Sequence, residues 1–377
     1  MTVDINRIYQ TILNLEGPRH PITSMDHLNY TADYIINELN KLDIKVQVQS
    51  FQVKGFEGEF RNIVGSIGQD PNIMLSGHYD SVQYSPGAND NLSAVALLLE
   101  AARLLKQENA NASFAFFTLE EGNPAIRSAL NEKLQAQGLV NEKYKYKYKS
   151  LDLLKASRSL FKKSKILYAQ MYAPIRVYET LINSDLSPSE LEIAKVNLEV
   201  YKMFPETDEN TLPVVGSSYY VDHLDRDIKC VLNYDCIGWI KQEKGTQKPL
   251  PIPKAYEDFF DQHQIESDIT IGNYLGLAGD INSSDYLKHF SKCMMDIPHL
   301  TMDIPLDHDQ MKQLVPDLLR SDHRPFWRKG IPALFITDFA NFRSELYHTP
   351  ADESQHIDYE MLERMTKASV KFVLENQ

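Results

Sequence analysis

The sequence predicts an α/β fold: a three-layer α/β/α sandwich around a mixed, largely parallel central sheet, with one helical insertion. Short apolar runs of strand length alternate with longer segments of helical periodicity along most of the 377 residues. Several of these runs lack polar alternation, which is typical of strands covered on both faces. Residues 124–214 contain no such run. We therefore expect them to form an insertion in a discontinuous main domain made of residues 1–123 and 215–377.

The elements before the insertion follow the α/β pattern. Residues 27–42 place apolar side chains at helical spacing, and residues 44–53 alternate apolar and polar side chains as a strand does. Residues 91–107 are apolar on nearly all sides, so this helix must be covered, and Asn91 or Ser93 is its expected N-cap. Buried strands are predicted at residues 62–67, 72–78 and 113–121.

The insertion is predicted to be mostly helical. Ser187 or Ser189 is placed to cap one of its helices, with Pro188 in the first turn. The Lys/Tyr-rich stretch 141–165 is locally basic and could contact nucleic acid or a membrane, but we interpret it as a solvated helix face. Buried strands resume at residues 229–239 and 332–339.

Composition limits the function classes. The formal net charge of −13 argues against nucleic-acid binding as the main activity. The three cysteines, Cys230, Cys236 and Cys293, form no CxxC pair, which favours a reducing environment over a disulfide framework. We see no signal peptide and no apolar stretch long enough to span a membrane, so we expect a cytoplasmic protein that binds neither membrane nor nucleic acid.

Ionisable residues follow the apolar strand candidates. In parallel α/β sheets, strand ends converge on one crevice where ligands bind. Several buried carboxylates there would repel one another, and divalent cations would remove that repulsion. The residues in question are His78, Asp80, Asp90, Glu120, Glu121, Asp235 and His348.

These residue types suit zinc chemistry. Imidazole and carboxylate ligands are typical of zinc, and one carboxylate can bridge two ions in a hydrolytic site. A spare carboxylate can orient a ligating imidazole, and another can accept a proton from water. Each signal alone has a simpler explanation, since a single His is usually structural and a Glu pair often begins a helix.

The motifs taken together resemble those of the M28 metallopeptidases, the co-catalytic di-zinc aminopeptidase group. The resemblance rests on the following segments: GHYDS (77–81), GANDNLSAVALLLEAARLL (87–105), FAFFTLEEG (114–122), VLNYDCIGW (231–239), SDHRPFWRKGIPALFIT (321–337) and LYHTPAD (346–352). It covers most of the chain outside the insertion. It implies a zinc exopeptidase fold and a peptide substrate.

The resemblance also implies a division of the metal ligands. His78 and Asp235 would bind one Zn²⁺, while Glu121 and His348 would bind the other. Asp90 would bridge the two ions. Zinc is the expected metal, and Co²⁺ or Mn²⁺ could substitute for it.

Three further residues have expected catalytic roles. Asp80 would orient His78, and Glu120 would be the general base that takes a proton from water and passes it to the leaving amine. His323, in SDHRPF, stands where relatives have a Tyr that stabilises the oxyanion, and it either donates that hydrogen bond or packs below the site. Cys236 follows Asp235 on a strand, so we expect it to point into the core on the opposite face.

Two segments depart from the family pattern. The EEGNP motif at residues 120–124 runs into the insertion, and a Gly-Ser pair follows only at Gly216. We therefore expect residues 124–214 to form a helical lid that favours short peptides. Residues 241–319 are loosely patterned and are expected to contain specificity loops.

The function best supported on these grounds is a di-zinc aminopeptidase. The alternatives are a single-zinc glutaminyl cyclase-like acyltransferase and a peptidase-fold binding protein without activity. The sequence separates neither aminopeptidase from carboxypeptidase or dipeptidase action nor one side-chain preference from another. It leaves the oligomeric state open.

Overall fold

The computed structural model describes most of the chain: residues 2–140, 155–157, 159–160, 162–163, 174–204, 213–250, 254–261, 265 and 268–377. The Lys/Tyr-rich run at residues 141–150 lies outside these ranges, so the interpretation of its basic character remains a prediction. In the described part of the chain, no helix combines the length and apolar character needed to cross a bilayer.

One mixed sheet forms the middle layer. Its strands are β1 (Lys45–Phe51), β2 (Phe60–Ile67), β3 (Ile73–His78), β4 (Ala112–Phe117), β5 (Cys230–Tyr234), β6 (Phe260–Asp261), β7 (Leu275–Gly279), β8 (His299–Asp303) and β9 (Ala333–Thr337). They lie in the order β1-β2-β4-β3-β5-β9-β7-β8-β6. The four strands β4, β3, β5 and β9 are mutually parallel, and the flanking pairs include antiparallel ones.

Helices cover both faces of this sheet, which confirms the three-layer prediction. The helices are α1 (Ile5–Leu15), α2 (Met25–Lys41), α3 (Ser93–Gln107), α4 (Pro124–Ala136), α5 (Pro174–Ile182), α6 (Pro188–Met203), α7 (Val215–Asp222), α8 (Ser284–Cys293), α9 (His308–Leu314), α10 (Arg324–Arg328) and α11 (Tyr359–Glu375). Helices α1, α2, α3, α8 and α11 share an apolar core with one face, and α9 and α10 share one with the other.

Side-chain alternation along the buried strands builds the two cores. On β3, Ile73 and Leu75 pack toward α3, whereas Met74 packs on the opposite face. Helix α3 is buried nearly all round, as its apolar sequence predicts. Its predicted caps are wrong, because the side chains of Asn91 and Ser93 bond elsewhere: Asn91 donates to the Tyr234 carbonyl at 2.9 Å.

The described residues of the segment 124–214 are mostly helical, as the sequence predicts. Ser187 caps α6 with a reciprocal pair of bonds, since Glu190 N–H donates to Ser187 Oγ and Ser187 N–H donates to the Glu190 carboxylate. Helices α4 and α6 pack on each other through a small apolar cluster separate from the sheet cores, including Ile126 and Val196.

The two ends of this segment lie side by side. The backbone N–H of Val214 donates to the Glu120 carbonyl at 2.9 Å, and that of Gly216 donates to the Thr118 carbonyl at 3.1 Å. A residue with a side chain at position 216 would disrupt this backbone contact, because its Cβ would lie 2.0 Å from the Thr118 carbonyl oxygen. The chain thus leaves and re-enters the sheet domain at one place, beside Glu120.

Candidate metal centre

Three adjacent parallel strands deliver the site to one edge of the sheet. His78 is the last residue of β3, Glu120 and Glu121 follow β4, and Asp235 follows β5. Because β3 lies between β4 and β5 and runs parallel to both, their carboxyl ends meet. The prediction that the strand-end residues converge is therefore matched by the topology.

His78 and Asp80 organise the centre of this edge. The Nδ1 atom of His78 lies 3.2 Å from the backbone carbonyl oxygen of Asp80 and 3.5 Å from its carboxylate. The carboxylate itself accepts the backbone N–H groups of Glu120 and Glu121, each at 3.1 Å. Asp80 therefore fixes the imidazole of His78 largely through its carbonyl and holds the Glu pair through its side chain.

A second loop brings Asp90 over the strand ends. The Asp352 carboxylate accepts the backbone N–H of Asn89 at 2.9 Å and that of Asp90 at 3.1 Å. The Asn89 side chain accepts the Gly238 N–H at 2.7 Å and donates to Asp338 at 2.8 Å. The Asp90–Asn91 peptide bond is cis. This network ties the loop to the chain after β5 and β9.

The two carboxylate oxygens of Asp90 face two different imidazoles. Oδ1 lies 3.4 Å from His78 Nε2, and Oδ2 lies 3.1 Å from His348 Nε2. His348 Nε2 is also 3.1 Å from the Glu121 carboxylate, and its ring stacks on Tyr347 with centroids 3.7 Å apart. Asp90, Glu121 and His348 offer donor atoms within 4.8 Å of one another.

A second set of donors surrounds His78. Its Nε2 atom lies 3.8 Å from the Asp235 carboxylate and 3.9 Å from that of Glu120. His78, Glu120 and Asp235 again offer donor atoms within 4.8 Å of one another. The seven predicted inner residues are thus all brought together, in two sets that meet at Asp90.

Burial makes this cluster electrostatically costly without a cation. Burial, and then the neighbouring Asp90 carboxylate, raise the pKa of Glu121 to about 7. Burial also raises the pKa of Glu120 well above its usual range, although the charge of His78 opposes this shift. Burial alone would lower the pKa of His348, but the Glu121 carboxylate and Asp90 raise it to about 10.

The donor set fits divalent metal ions. His78 Nε2 and Glu121 Oε1 are buried and have no hydrogen-bond partner within the described residues. Such orphaned polar atoms are rare in proteins unless they ligate or react. The imidazole nitrogens and carboxylate oxygens match the ligand preferences of zinc. We conclude that these residues can hold a metal.

His323 is not among the groups of clustered donor atoms found in the described residues. It is fully buried, and its Nε2 atom bonds the Leu318 carbonyl at 2.6 Å. Its ring stacks on Phe335 with centroids 4.3 Å apart and meets Trp327 edge-on at the same distance. Burial lowers the pKa of His323 to about 3. These contacts favour the packing alternative over an oxyanion role.

The prediction for Cys236 is wrong in its direction. The residue is fully buried, as expected, but its Sγ atom lies 3.2 Å from the Asp235 carboxylate, on the side of the metal centre. The reason is its φ of 54°, which breaks the strand alternation on which the prediction relied. Its thiol pKa is raised well above the usual range, first by burial and then by the charge of Asp90.

Arg19 supports the site and was not anticipated. Its guanidinium is completely buried, and within the described residues it donates to backbone carbonyl oxygens: Tyr79 at 2.8 Å, Pro86 at 2.6 Å, Gly17 at 2.7 Å, Gly87 at 3.0 Å and Leu15 at 3.4 Å. It thereby joins the loop after His78 to the loop before Asp90. No sequence signal identifies it, because an arginine in a polar loop is normally exposed.

Further carboxylates behind the ligands were also missed. Asp322 is fully buried in the SDHRPF motif, and burial raises its pKa to about 7 although the charge of His78 opposes this. Asp338 follows β9 and accepts the Trp239 N–H at 2.8 Å. The apolar run before Asp338 followed by an acid was the available signal, the same one that identified Asp235.

The α/β sandwich carries at its strand ends a cluster of imidazole and carboxylate donors that fits divalent metal ions. The sequence profile of peptidase family M28 matches residues 62–373, and the chain belongs to that family. The matched range spans the whole cluster from His78 to His348.

Two curated proteins are similar in sequence. The chain is 24% identical over 371 residues to "Uncharacterized protein YfbL" of Escherichia coli. The alignment covers 94% of this chain and 83% of that protein. It is also 36% identical over 104 residues to "Aminopeptidase YwaD" of Bacillus subtilis. That alignment covers 24% of this chain and 23% of that protein.

Solved structures share the fold. A leucine aminopeptidase precursor of Bacteroides thetaiotaomicron superposes with a TM-score of 0.55 at 15% identity, covering 100% of this chain and 98% of that chain. A Porphyromonas gingivalis glutaminyl cyclase superposes with a TM-score of 0.54 at 15% identity, covering 100% and 99%. At this identity the likeness concerns the fold alone. The two neighbours are named for different activities, aminopeptidase and glutaminyl cyclase, so the fold does not decide between them.

Proposed function

We propose that the protein is an aminopeptidase that uses two divalent cations, best supplied as Zn²⁺, to remove the N-terminal residue of peptides. The main support is the carboxylate of Asp90, whose two oxygens point at His78 and His348. A carboxylate between two imidazoles is the arrangement that a bridging ligand requires. A single cation would leave one of the two imidazoles facing carboxylates without a metal.

The remaining ligands divide between the two imidazoles. Asp235 lies beside His78, and Glu121 lies beside His348. Each cation would then have one imidazole and one carboxylate of its own, with Asp90 in common. The positive charge of the cations would hold both imidazoles and all three carboxylates in the deprotonated state.

The cations would lower the pKa of a water molecule and polarise the scissile carbonyl. Glu120 would then accept the proton of that water and pass it to the leaving amine, because its carboxylate lies next to His78 and Asp235 without being needed as a ligand. Asp80 would keep Glu120 in position through the hydrogen bond to its backbone N–H.

The helical segment 124–214 would form a lid beside this site. Its C-terminal end is bonded to the backbone of Glu120, and Arg324 donates to the Pro213 carbonyl at 3.0 Å. A cover anchored at the general base would exclude large folded substrates and favour short peptides. Deleting the segment and joining its two ends should leave a folded enzyme that accepts longer peptides. An unchanged preference between short and long peptides would contradict the lid.

Metal content tests the core of the proposal. We expect the chain saturated with zinc and desalted to retain close to two active-site ions, and to hydrolyse aminoacyl substrates. Glu120→Gln should keep the metal and turn over substrate about 10²–10⁴-fold more slowly. A single active-site ion combined with cyclisation of N-terminal Gln would instead identify a glutaminyl cyclase. Full metal content without either activity would indicate a binding protein.

A further inference from the structure

A second cluster of metal-binding side chains lies away from the metal centre, where α8 packs against α11. His289 and Cys293 are four residues apart on α8, so they lie on one face of that helix. Glu375 ends α11. His289 Nε2 lies 2.8 Å from the Glu375 carboxylate, and Cys293 Sγ lies 3.5 Å from the same oxygen. The role proposed for the M28 site uses none of these three residues.

The spacing of the donor atoms suits one small cation. Nitrogen, sulfur and oxygen from the three residues lie within 4.8 Å of one another. Around a tetrahedral zinc ion, neighbouring ligand atoms lie roughly 3.2–3.7 Å apart, given the usual zinc–ligand bond lengths. The Cys293–Glu375 separation of 3.5 Å already meets that requirement. The His289–Glu375 pair would open by a few tenths of an ångström, replacing its hydrogen bond.

The helices hold the cluster in place. The ring of His289 packs on the buried Phe372 of α11, with centroids 5.2 Å apart. Asn376 Nδ2 donates to the Phe372 carbonyl at 2.7 Å and lies 3.2 Å from His289 Nδ1. The side chains are partly exposed, His289 by 33% and Glu375 by 44%, so a cation can reach them from solvent without opening the fold.

We propose that His289, Cys293 and Glu375 form a zinc site that joins α8 to α11 independently of the metal centre. One imidazole nitrogen, one thiolate and one carboxylate oxygen would bind the ion, and water would complete a tetrahedron. Thiolate ligation selects zinc over magnesium or calcium, which prefer oxygen. The Cys293 thiol releases its proton to solvent when the ion binds.

The exposed cysteine makes the site separable from the metal centre. Of the three cysteines, Cys230 and Cys236 are buried and Cys293 is partly exposed. Cys293→Ser and Glu375→Gln should each bind one zinc ion fewer than the unaltered protein, or bind it at least about tenfold more weakly. Glu363→Gln, on the same helix but paired with Lys367, is the matched control and should retain every ion. Peptidase activity should be the same in all four proteins.

Cobalt provides a spectroscopic readout that does not depend on activity. Adding Co²⁺ to the metal-free protein should produce a sulfur-to-cobalt charge-transfer band. The band should persist in Cys236→Ser and disappear in Cys293→Ser. A band that instead requires Cys236 would place the bound sulfur at the metal centre and overturn the proposal.

Asn376 offers a second test of the ligand set. If Nε2 of His289 binds the ion, its proton resides on Nδ1, which faces the Asn376 amide. Asn376→Asp supplies an acceptor for that proton and should tighten zinc binding, by about tenfold. Equal zinc content in the unaltered protein and Cys293→Ser, with no cobalt band in either, would show that the cluster is only a hydrogen-bonded helix contact.

Discussion

The carboxylate of Asp80 accepts the backbone N–H of Glu120 at 3.1 Å, and its other oxygen accepts the N–H of Glu121 at the same distance. The Asp80 side chain therefore holds the proposed general base and the adjoining proposed ligand. The backbone carbonyl oxygen of Asp80 orients His78. Because Asp80 is completely buried, water cannot replace these bonds. Asp80 is thus a positioning residue for both halves of the site.

Asp80→Asn should reduce both the turnover rate and the zinc affinity by about 10- to 100-fold. The substituted amide can accept only one of the two N–H groups, and its own N–H would oppose the other. Steady-state kinetics and zinc titration measure the two effects. Asp70→Asn, at an exposed loop position, is the control and should change neither. Normal turnover and zinc affinity in folded Asp80→Asn would remove Asp80 from the mechanism.

His323→Phe should leave the turnover rate within a few-fold of the unaltered enzyme. The phenyl ring preserves the contacts with Phe335 and Trp327, and only the bond to the Leu318 carbonyl is lost. The free energy of unfolding should fall by about 1–2 kcal/mol for that hydrogen bond. If turnover instead fell by about a hundredfold or more while stability stayed the same, the oxyanion role would be established.

Arg19→Met should destabilise the fold by about 3–5 kcal/mol, because several buried carbonyl oxygens would lose a charged donor. The loops before Asp90 and after His78 would loosen together, so zinc affinity should fall with stability. Urea denaturation and zinc titration measure the pair of effects. Arg176→Met on the exposed face of α5 should have little effect on either. A stable Arg19→Met protein with weakened zinc binding would mean that Arg19 acts on the site alone.

His20 should make stability depend on pH below neutrality. Burial, and then the charge of Arg127, lower its pKa from 6.5 to about 4. Since the unfolded chain binds this proton more readily than the native protein, stability is lost as pH falls from about 6.5 toward 4, by at most ~1.4 kcal/mol per pH unit.

The matched variant for this effect is His20→Asn. Its side-chain oxygen can replace Nδ1 as the acceptor for the backbone N–H groups of Ile22 and Thr23, but it does not titrate. The unfolding temperature should therefore fall less between pH 7 and pH 5 for the variant than for the unaltered protein. Equal drops would mean that the acid sensitivity arises elsewhere, for example at the metal centre.

Much of the fold followed from local pattern. The buried strands that lead to His78, Glu120 and Asp235 were recognisable because continuous apolar runs, each followed by an acid or a His, are unusual in solvated structure. The parallel topology then explains why such ends meet. The cap of α6 at Ser187 was also predictable, because it depends only on residues close together in the sequence.

The parts that were missed depend on contacts between distant segments. Asn91 was expected to cap α3, but its side chain instead hydrogen-bonds the backbone of Tyr234, at the end of β5, and of Cys236. Cys236 was expected to alternate with Asp235, but its left-handed backbone turns it toward the site. Arg19 and Asp352 bind backbone groups far away in the chain, and no periodicity records such partners.

The backbone hydrogen bond between Val214 and Glu120 also has a consequence for how the protein folds. These residues are far apart in the sequence, so closing the loop between them costs chain entropy that only the finished contacts recover. The carbonyl of the proposed general base therefore gains this hydrogen bond only after that loop has closed. A shorter segment between these two residues would close this loop at a lower entropic cost.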